Sequence, residues 1–413
     1  MTSFARKLRF GAIAILGAVL IVASPPLSRA AESTYGQILV AGGSGTSGSL
    51  SSVELYDPAS NGFAGSAPAM NADRQFHTVN LIVSGPNAGK VLLAGGLSDS
   101  GTLASTELYY PALNTFAFGP NMNVGRDHHS ATVISSGPKA GEILLAGGES
   151  RNYGVISLAS TEIYDPAANK FVVGPTMNDG RYAHTATVIA SGPNAGRILL
   201  AGGLNTAYGP LVSTELYDPA ANKFTAGPKM NVARFGHTST VIASGPNAGK
   251  ILLAGGFDNN DSLASTEIYD PAANKFAVGP TLKAARRFHT ATVISSGPNA
   301  DKILLAGGLN NNGPLASTEI YDPTANKFEV GPNMNVARDH HSATPIVSGP
   351  NAGKILLAGG DDIVNDTKLD STELYDPAVN KFAAGHPMNV ARAFHTAIGL
   401  PASPAATNIA NSP

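Results

Sequence analysis

An all-β fold made of seven copies of one unit is predicted by three observations. A Gly-Gly doublet recurs at Gly42, Gly95, Gly147, Gly202, Gly255, Gly307 and Gly359, in steps of 52 to 55 residues. Each doublet ends a short apolar run, as in Lys250-Ile251-Leu252-Leu253-Ala254-Gly255-Gly256. Between doublets, short strand-like segments alternate with Gly/Pro/Asn turn clusters, and none reads as an amphipathic helix. Self-similarity at so long a period marks an array of identical supersecondary units.

The unit from Arg234 to Pro280 shows the elements in order. His237-Thr-Ser-Thr-Val-Ile242 is β-branched and predicts a first strand. Ser244-Gly-Pro-Asn-Ala-Gly-Lys250 is a turn cluster. Ile251 to Ala254 suits a second strand buried on both faces, and a variable polar loop follows the glycines. Ser265-Thr-Glu-Ile-Tyr269 alternates as a third strand, and Asp270-Pro271 begins a turn in which Pro presets φ and Asp can bond the following amides. Lys275-Phe276-Ala-Val278 is the fourth strand, ended by Gly279-Pro280.

Four short antiparallel strands repeated seven times predict a seven-bladed β-propeller. The chain enters at a second strand, Gln37 to Gly43, and leaves after a first strand, His395 to Leu400. The strand types balance only if the last strand completes the N-terminal blade, which removes the unpaired edges of an open ring.

The doublet, the later Tyr, an aromatic residue about seven positions after it and the following Arg-x-x-His together resemble the kelch repeat, over residues 37 to 400. The resemblance implies a propeller with partner-binding loops on one face. Kelch repeats usually carry Trp where this chain has Phe63, Phe116, Phe171, Phe224, Phe276, Phe328 and Phe382. The second repeat has Tyr110 where the others have Asp.

Charged residues are only 14% of the chain, the net charge is −2, and no basic run occurs outside the first ten residues, so a nucleic-acid partner is not expected. The absence of cysteine excludes disulfides, thiolate nucleophiles, cysteine-based zinc sites and a lipoprotein anchor. Arg6, Lys7 and Arg9, the apolar run Phe10 to Ala23, and Ser28-Arg29-Ala30 have the layout of an export signal. The expected organisation is a signal peptide at 1–30, the propeller at 31–400 and a disordered Ala/Pro/Asn/Ser-rich tail at 401–413. The mature protein is then expected in the periplasm or outside the cell, as a monomer free of the membrane.

Residues present in every unit are expected to build the fold. These are the seven Arg-x-x-His pairs (Arg74/His77, Arg126/His129, Arg181/His184, Arg234/His237, Arg286/His289, Arg338/His341, Arg392/His395) and the third-strand glutamates from Glu54 to Glu373. Arg, Glu and His are expected to form a polar ladder in each blade, since a buried guanidinium needs an acceptor. The Tyr series, from Tyr56 to Tyr375, reads as packing residues with tethered hydroxyls. Met70, Met122, Met177, Met230, Met334 and Met388, with Leu282 in the remaining unit, read as gap-fillers between blades.

Residues that differ between units are the candidates for binding. They lie inside Arg-x-x-His (Phe76, His128, Tyr182, Phe235, Arg287, Asp339, His340, Phe394) and in the loop after each doublet (Arg151, Tyr153, Tyr208, Asp258, Asp361, Asp362). Strand direction brings both sets to one face, whose aromatic and polar mix suits a glycan or protein ligand. Asp258-Asn259-Asn260-Asp261 and Asp361-Asp362 have oxygen ligands but no calcium-loop spacing. No catalytic residue, metal or cofactor is assigned. The expectation is a non-catalytic binding module. The alternative is a carbohydrate-active enzyme of mutarotase or oxidase type, the copper-radical form being disfavoured because its Cys–Tyr crosslink has no Cys here.

Overall fold

The computed structural model describes residues 36–63, 67–152, 154–362 and 367–401. The expected signal segment, residue 153 and nearly all of the C-terminal tail lie outside them. The described chain forms seven four-stranded antiparallel sheets arranged as a propeller. In blade 5 the strands are Thr238–Val241, Ile251–Ala254, Thr266–Asp270 and Lys275–Val278, in that spatial order from the axis outward. The other blades repeat this order.

Blade 1 closes the ring. Its first strand is Thr396–Gly399, which pairs with Ile38–Ala41 in the register Ile38↔Gly399 to Ala41↔Thr396. Val53–Asp57 and Gly62–Phe63 complete the sheet. The C-terminal strand therefore joins three N-terminal strands, as the strand count predicts.

Each second strand is buried along its whole length, which explains its unbroken apolar run. Its side chains serve two blade interfaces alternately, because successive residues point to opposite faces. Thus Ile251 and Leu253 pack towards blade 4, with Leu199, Leu216 and Met230, whereas Leu252 and Ala254 pack towards blade 6, with Ile303 and Leu305. Seven such clusters lie between neighbouring blades. The Met series and Leu282 are members, and the seven Phe residues pack against them. The Tyr hydroxyls donate to an Asn five residues on, as from Tyr269 to Asn274 at 2.9 Å, and Tyr109 fills this place in blade 2.

The doublet needs glycine for two separate reasons. Gly255 and Gly256 have φ of 65° and 103°, where L side chains are strained. A β-carbon on Gly255 would also strike the carbonyl of Arg286 in the next blade.

Arg and Glu form the expected ladder. Arg286 is fully buried; Nη1 donates to the Gly307 and Ser317 carbonyls at 2.6 and 3.2 Å, and Nη2 to Glu319 Oε1 at 3.1 Å. Glu319 also accepts the Lys283 and Ala284 amides, tying the incoming linker to the blade. Histidine departs from expectation. Its Nε2 bonds a hydroxyl on the first strand of the preceding blade, as in His289–Thr238 at 2.9 Å, so seven imidazoles link blades in a closed circuit. His precedes the innermost strand, and the third-strand glutamate spends its oxygens on Arg and the linker amides instead.

Arg286→Ala would leave Glu319 buried without its cation. Breaking such a pair costs about 3–5 kcal/mol, so the urea midpoint is expected to fall sharply. Arg286→Lys should restore little, because an ammonium cannot make the same forked contacts. A midpoint unchanged by Arg286→Ala would contradict the ladder.

Candidate functional site

The Arg-x-x-His segment is held on both sides of its variable positions. The Arg carbonyl accepts the second glycine of the preceding doublet, as from Gly256 to Arg286 at 2.9 Å. The first variable residue then bridges to the residue after its own blade's doublet. Gln75↔Leu97, Asp127↔Glu149, Tyr182↔Leu204, Phe235↔Phe257, Arg287↔Leu309, Asp339↔Asp361 and Ala393↔Ser44 pair in this way. Both variable sets thus meet on one face.

The second variable residue turns the chain into the innermost strand, and it does so in left-handed backbone. Phe76, His128, Ala183, Gly236, Phe288, His340 and Phe394 have φ between 47° and 61°. Each amide donates to the equivalent carbonyl of the preceding blade at 2.8–3.2 Å, and Phe76 donates to Phe394, so the seven bonds close a ring around the axis.

The side chains of this ring touch in sequence. Phe288 stacks on His340 at 4.2 Å between centroids, His340 meets Phe394 at 4.2 Å, Phe394 meets Phe76 at 4.5 Å, and Phe76 stacks on His128 at 3.8 Å. Phe288 also leans over Gly236, where any β-carbon would lie 2.6 Å from its ring. Ala183 is therefore the gap in the arc, flanked by His128 and Tyr182, whose centroids are 6.0 Å apart. All these rings are half-buried.

Two acid–histidine groups adjoin the arc. In blade 3, His128 Nδ1 lies 2.6 Å from Asp127 Oδ1 and 3.7 Å from Glu149 Oε1. Arg151 is bonded to Glu149 and lies 3.6 Å from Asp127 Oδ2. Burial, then the charge on Asp127, pushes the Glu149 carboxyl above its ordinary range. The ligating atoms of Asp127, His128 and Glu149 are within 4.8 Å of one another, a spacing that could hold a metal, but the Arg151 guanidinium already supplies the positive charge there.

Blade 7 carries a related group without the close mutual spacing of blade 3, and its cation touches only one of the two carboxylates. His340 Nδ1 is hydrogen-bonded to Asp339 Oδ1, and Lys368 Nζ bonds Asp361 Oδ2 at 2.6 Å. Burial lowers the His340 pKa against the pull of Asp339. Asp339 and Asp361 are 2% and 6% exposed, yet among the described residues Asp339 Oδ2 and Asp361 Oδ1 have no hydrogen-bond donor.

The remaining candidates lie further out or serve their own loops. Arg287 covers the Phe257 ring at 4.2 Å, and Phe257 contacts Phe235 edge-on at 5.6 Å. Tyr208 is 80% exposed at a loop tip. Asp258 accepts the Asn260 and Asp261 amides, and those bonds hold its carboxyl below the usual range; this turn is self-satisfied, not an open calcium loop. Asp362 flanks Asp361 in the blade 7 hairpin. Tyr153 lies outside the described residues.

The two faces differ in charge. Apart from the ladder pairs, the loops and linkers of the variable face carry Asp73, Asp99, Asp127, Glu149, Asp179, Asp258, Asp261, Asp339, Asp361, Asp362 and Asp370, against Arg151, Lys229, Lys283, Arg287 and Lys368. The opposite face is closer to balance: its outer turns pair Asp57, Asp165, Asp218, Asp270, Asp322 and Asp376 with Lys170, Lys223, Lys275, Lys327 and Lys381, and Asp218, Asp270, Asp322 and Asp376 also bind cations of the inner turns. Lys90, Lys139, Arg197, Lys250, Lys302 and Lys354 sit in its inner turns, with only Glu142 and Asp301 among them.

Phe288, Ala183, Gly236, Glu149, Phe257 and Lys368 belong to this region and escape a reading by residue type. Aligning the seven units by column would have found the first three, since one column reads Phe, His, Ala, Gly, Phe, His, Phe.

Comparison with known proteins agrees with this geometry. The kelch motif matches residues 25–61, 243–283 and 296–335. Beta-scruin of Limulus polyphemus is 25% identical over 307 residues, covering 69% of this chain and 31% of that protein. Kelch-like protein 23 of Homo sapiens is 25% identical over 285 residues, covering 68% of this chain and 45% of that protein. The chain thus spans less than half the length of either relative. Among solved structures, that of YjhT superposes with a TM-score of 0.55 at 13% identity, covering 75% of this chain and 97% of that one. This last likeness concerns the fold alone.

Proposed function

Because this chain belongs to the kelch-repeat family, we propose that it is an interaction module that holds a protein partner on its variable face, centred on the aromatic arc. One observation carries the reading. The ring position requires left-handed backbone, where glycine is at ease and bulky side chains are strained by about 1–3 kcal/mol. Gly236 shows that the fold accepts glycine there, yet Phe76, Phe288 and Phe394 occupy the same position in other blades. Side chains kept against a backbone preference, half-exposed and clustered, point to contact with something outside the chain. The basic and apolar start of the chain supports an exported partner-binder, acting in the periplasm or outside the cell.

The test exchanges aromatic area for backbone ease. Phe394→Gly relieves strain and loses ring contacts, so its stability is expected within about 1 kcal/mol of wild type. Partner capture from the organism's own extracts, quantified against wild type, should fall at least tenfold. Full capture by Phe394→Gly and Phe76→Gly would overturn the reading, as would turnover of a sugar by the purified protein.

A further inference from the structure

We infer that the blade 7 side of the arc receives a cationic side chain, Lys or Arg, from a basic segment of the partner; this rests on the proposed interaction face and specifies its chemistry. Three observations converge on it. First, two buried carboxylate oxygens, Asp339 Oδ2 and Asp361 Oδ1, have no donor among the described residues. Their residues are bridge partners on adjacent antiparallel segments, so both side chains rise on one side of the pair. A buried carboxyl oxygen lacking a donor is costly until a donor arrives.

Second, aromatic faces adjoin these oxygens. His340 bonds Asp339 and meets both Phe288 and Phe394. A cation over an aromatic face gains from the ring quadrupole, more so when water is excluded. The chain already uses this device: Lys368 Nζ lies 5.4 Å from the Phe394 centroid while bonding Asp361 Oδ2. Lys368 satisfies Asp361 Oδ2 and His340 satisfies Asp339 Oδ1, while Arg287 acts on Asp339 through its charge without bonding it, so Asp339 Oδ2 and Asp361 Oδ1 are left for a second cation.

Third, the surrounding face is acidic and the opposite face is not. That segregation attracts a basic segment to the correct side and sets its orientation. The blade 3 group marks the contrast. There Arg151 engages both carboxylates, so the equivalent place is taken from within.

The experiment uses the mature full chain and four labelled ten-residue peptides, identical in a Gly/Ser background except for a central pair of Lys, Arg, Glu or Leu. Fluorescence polarisation at low salt should show saturable binding of the Lys and Arg peptides, weakened at least tenfold by 0.5 M NaCl. Asp339→Asn, which keeps an oxygen for the His340 bond, should weaken it at least tenfold while the protein retains a cooperative melting transition above the assay temperature, and Asp361→Asn likewise. Lys368→Met should strengthen it, because the resident ammonium competes for the same rings and carboxylates. Equal binding of the Glu peptide, indifference to Asp339→Asn, or weakening by Lys368→Met would overturn the inference. So would Asp339-dependent uptake of calcium or manganese, which would assign the free oxygens to a metal. Should the Asp339 variant still capture the natural partner while Phe394→Gly does not, the interaction face stands and only its cationic chemistry fails.

Discussion

Acidification is expected to unfold this protein between about pH 6 and 5, before most of its carboxylates are protonated. The cause is the circuit of seven imidazoles. His77, His129, His184, His237, His289, His341 and His395 are each at most 8% exposed. Burial, then the neighbouring Arg charge, lowers all seven pKa values, to about 3 for His184 and His395. In the unfolded chain they titrate near 6.5. Below that pH the unfolded state therefore binds more protons than the folded state, and stability falls as pH falls. Above it both states are neutral and the circuit has no pH dependence. Each histidine costs about 1.4 kcal/mol per pH unit in this window. Seven together reach on the order of 10 kcal/mol near pH 5.5, comparable with the whole stability of a typical domain, about 5–15 kcal/mol. Urea midpoints taken from pH 8 to pH 4.5 should be flat above 7 and then drop steeply. His129→Gln, which retains a partner for Thr78 and cannot titrate, should flatten the slope by about one-seventh. A midpoint constant down to pH 5 would contradict the buried neutral circuit.

Truncation before Ala393 should have an effect of similar size by a different route. It removes the first strand of blade 1 and exposes the edge of Ile38–Ala41. Ile398 and Leu400 leave a cluster shared by blades 1 and 2, a loss of about 3–6 kcal/mol by burial alone. Three circuits open at the same point: the His395–Ser342 and Thr396–His77 bonds, the Phe394 link in the amide ring, and the Ala393–Ser44 bridge. The truncated chain is expected to lose its cooperative thermal transition, whereas deletion from Pro404 should leave it intact. A truncated chain that melted with the full-length profile would disprove closure by the C-terminal strand.

The blade number, the strand order and the closure were legible because each rests on a local rule repeated seven times. A doublet such as Gly255-Gly256 must sit where φ is positive, and an Ile-Leu-Leu-Ala run must be buried on both faces, whatever the distant chain does. The Arg–Glu ladder was legible for the same reason: a buried guanidinium requires an acceptor. The histidine role was not, because Arg-x-x-His puts Arg and His close in sequence and hides that the chain reverses between them. Phe394 and His340 could be named as variable, but their stacking could not be foreseen. It depends on a backbone turn at φ near 50° that brings residues from neighbouring blades together around the axis. The Asp339 and Asp361 oxygens that lack a donor among the described residues were likewise invisible, since only the bridge between their segments reveals that two buried acids lie opposite each other.

The central claim is a division of labour: residues shared by all units hold the ring, and the unlike residues on its left-handed positions meet the partner. One paired measurement addresses it directly, namely partner affinity and melting temperature for Phe394→Gly and Arg286→Ala side by side. The account predicts that Phe394→Gly keeps its melting temperature and loses the partner. Arg286→Ala should melt far lower yet bind normally at temperatures where it remains folded. A Phe394→Gly protein that binds like wild type, or an Arg286→Ala protein that is stable but no longer binds, would contradict it.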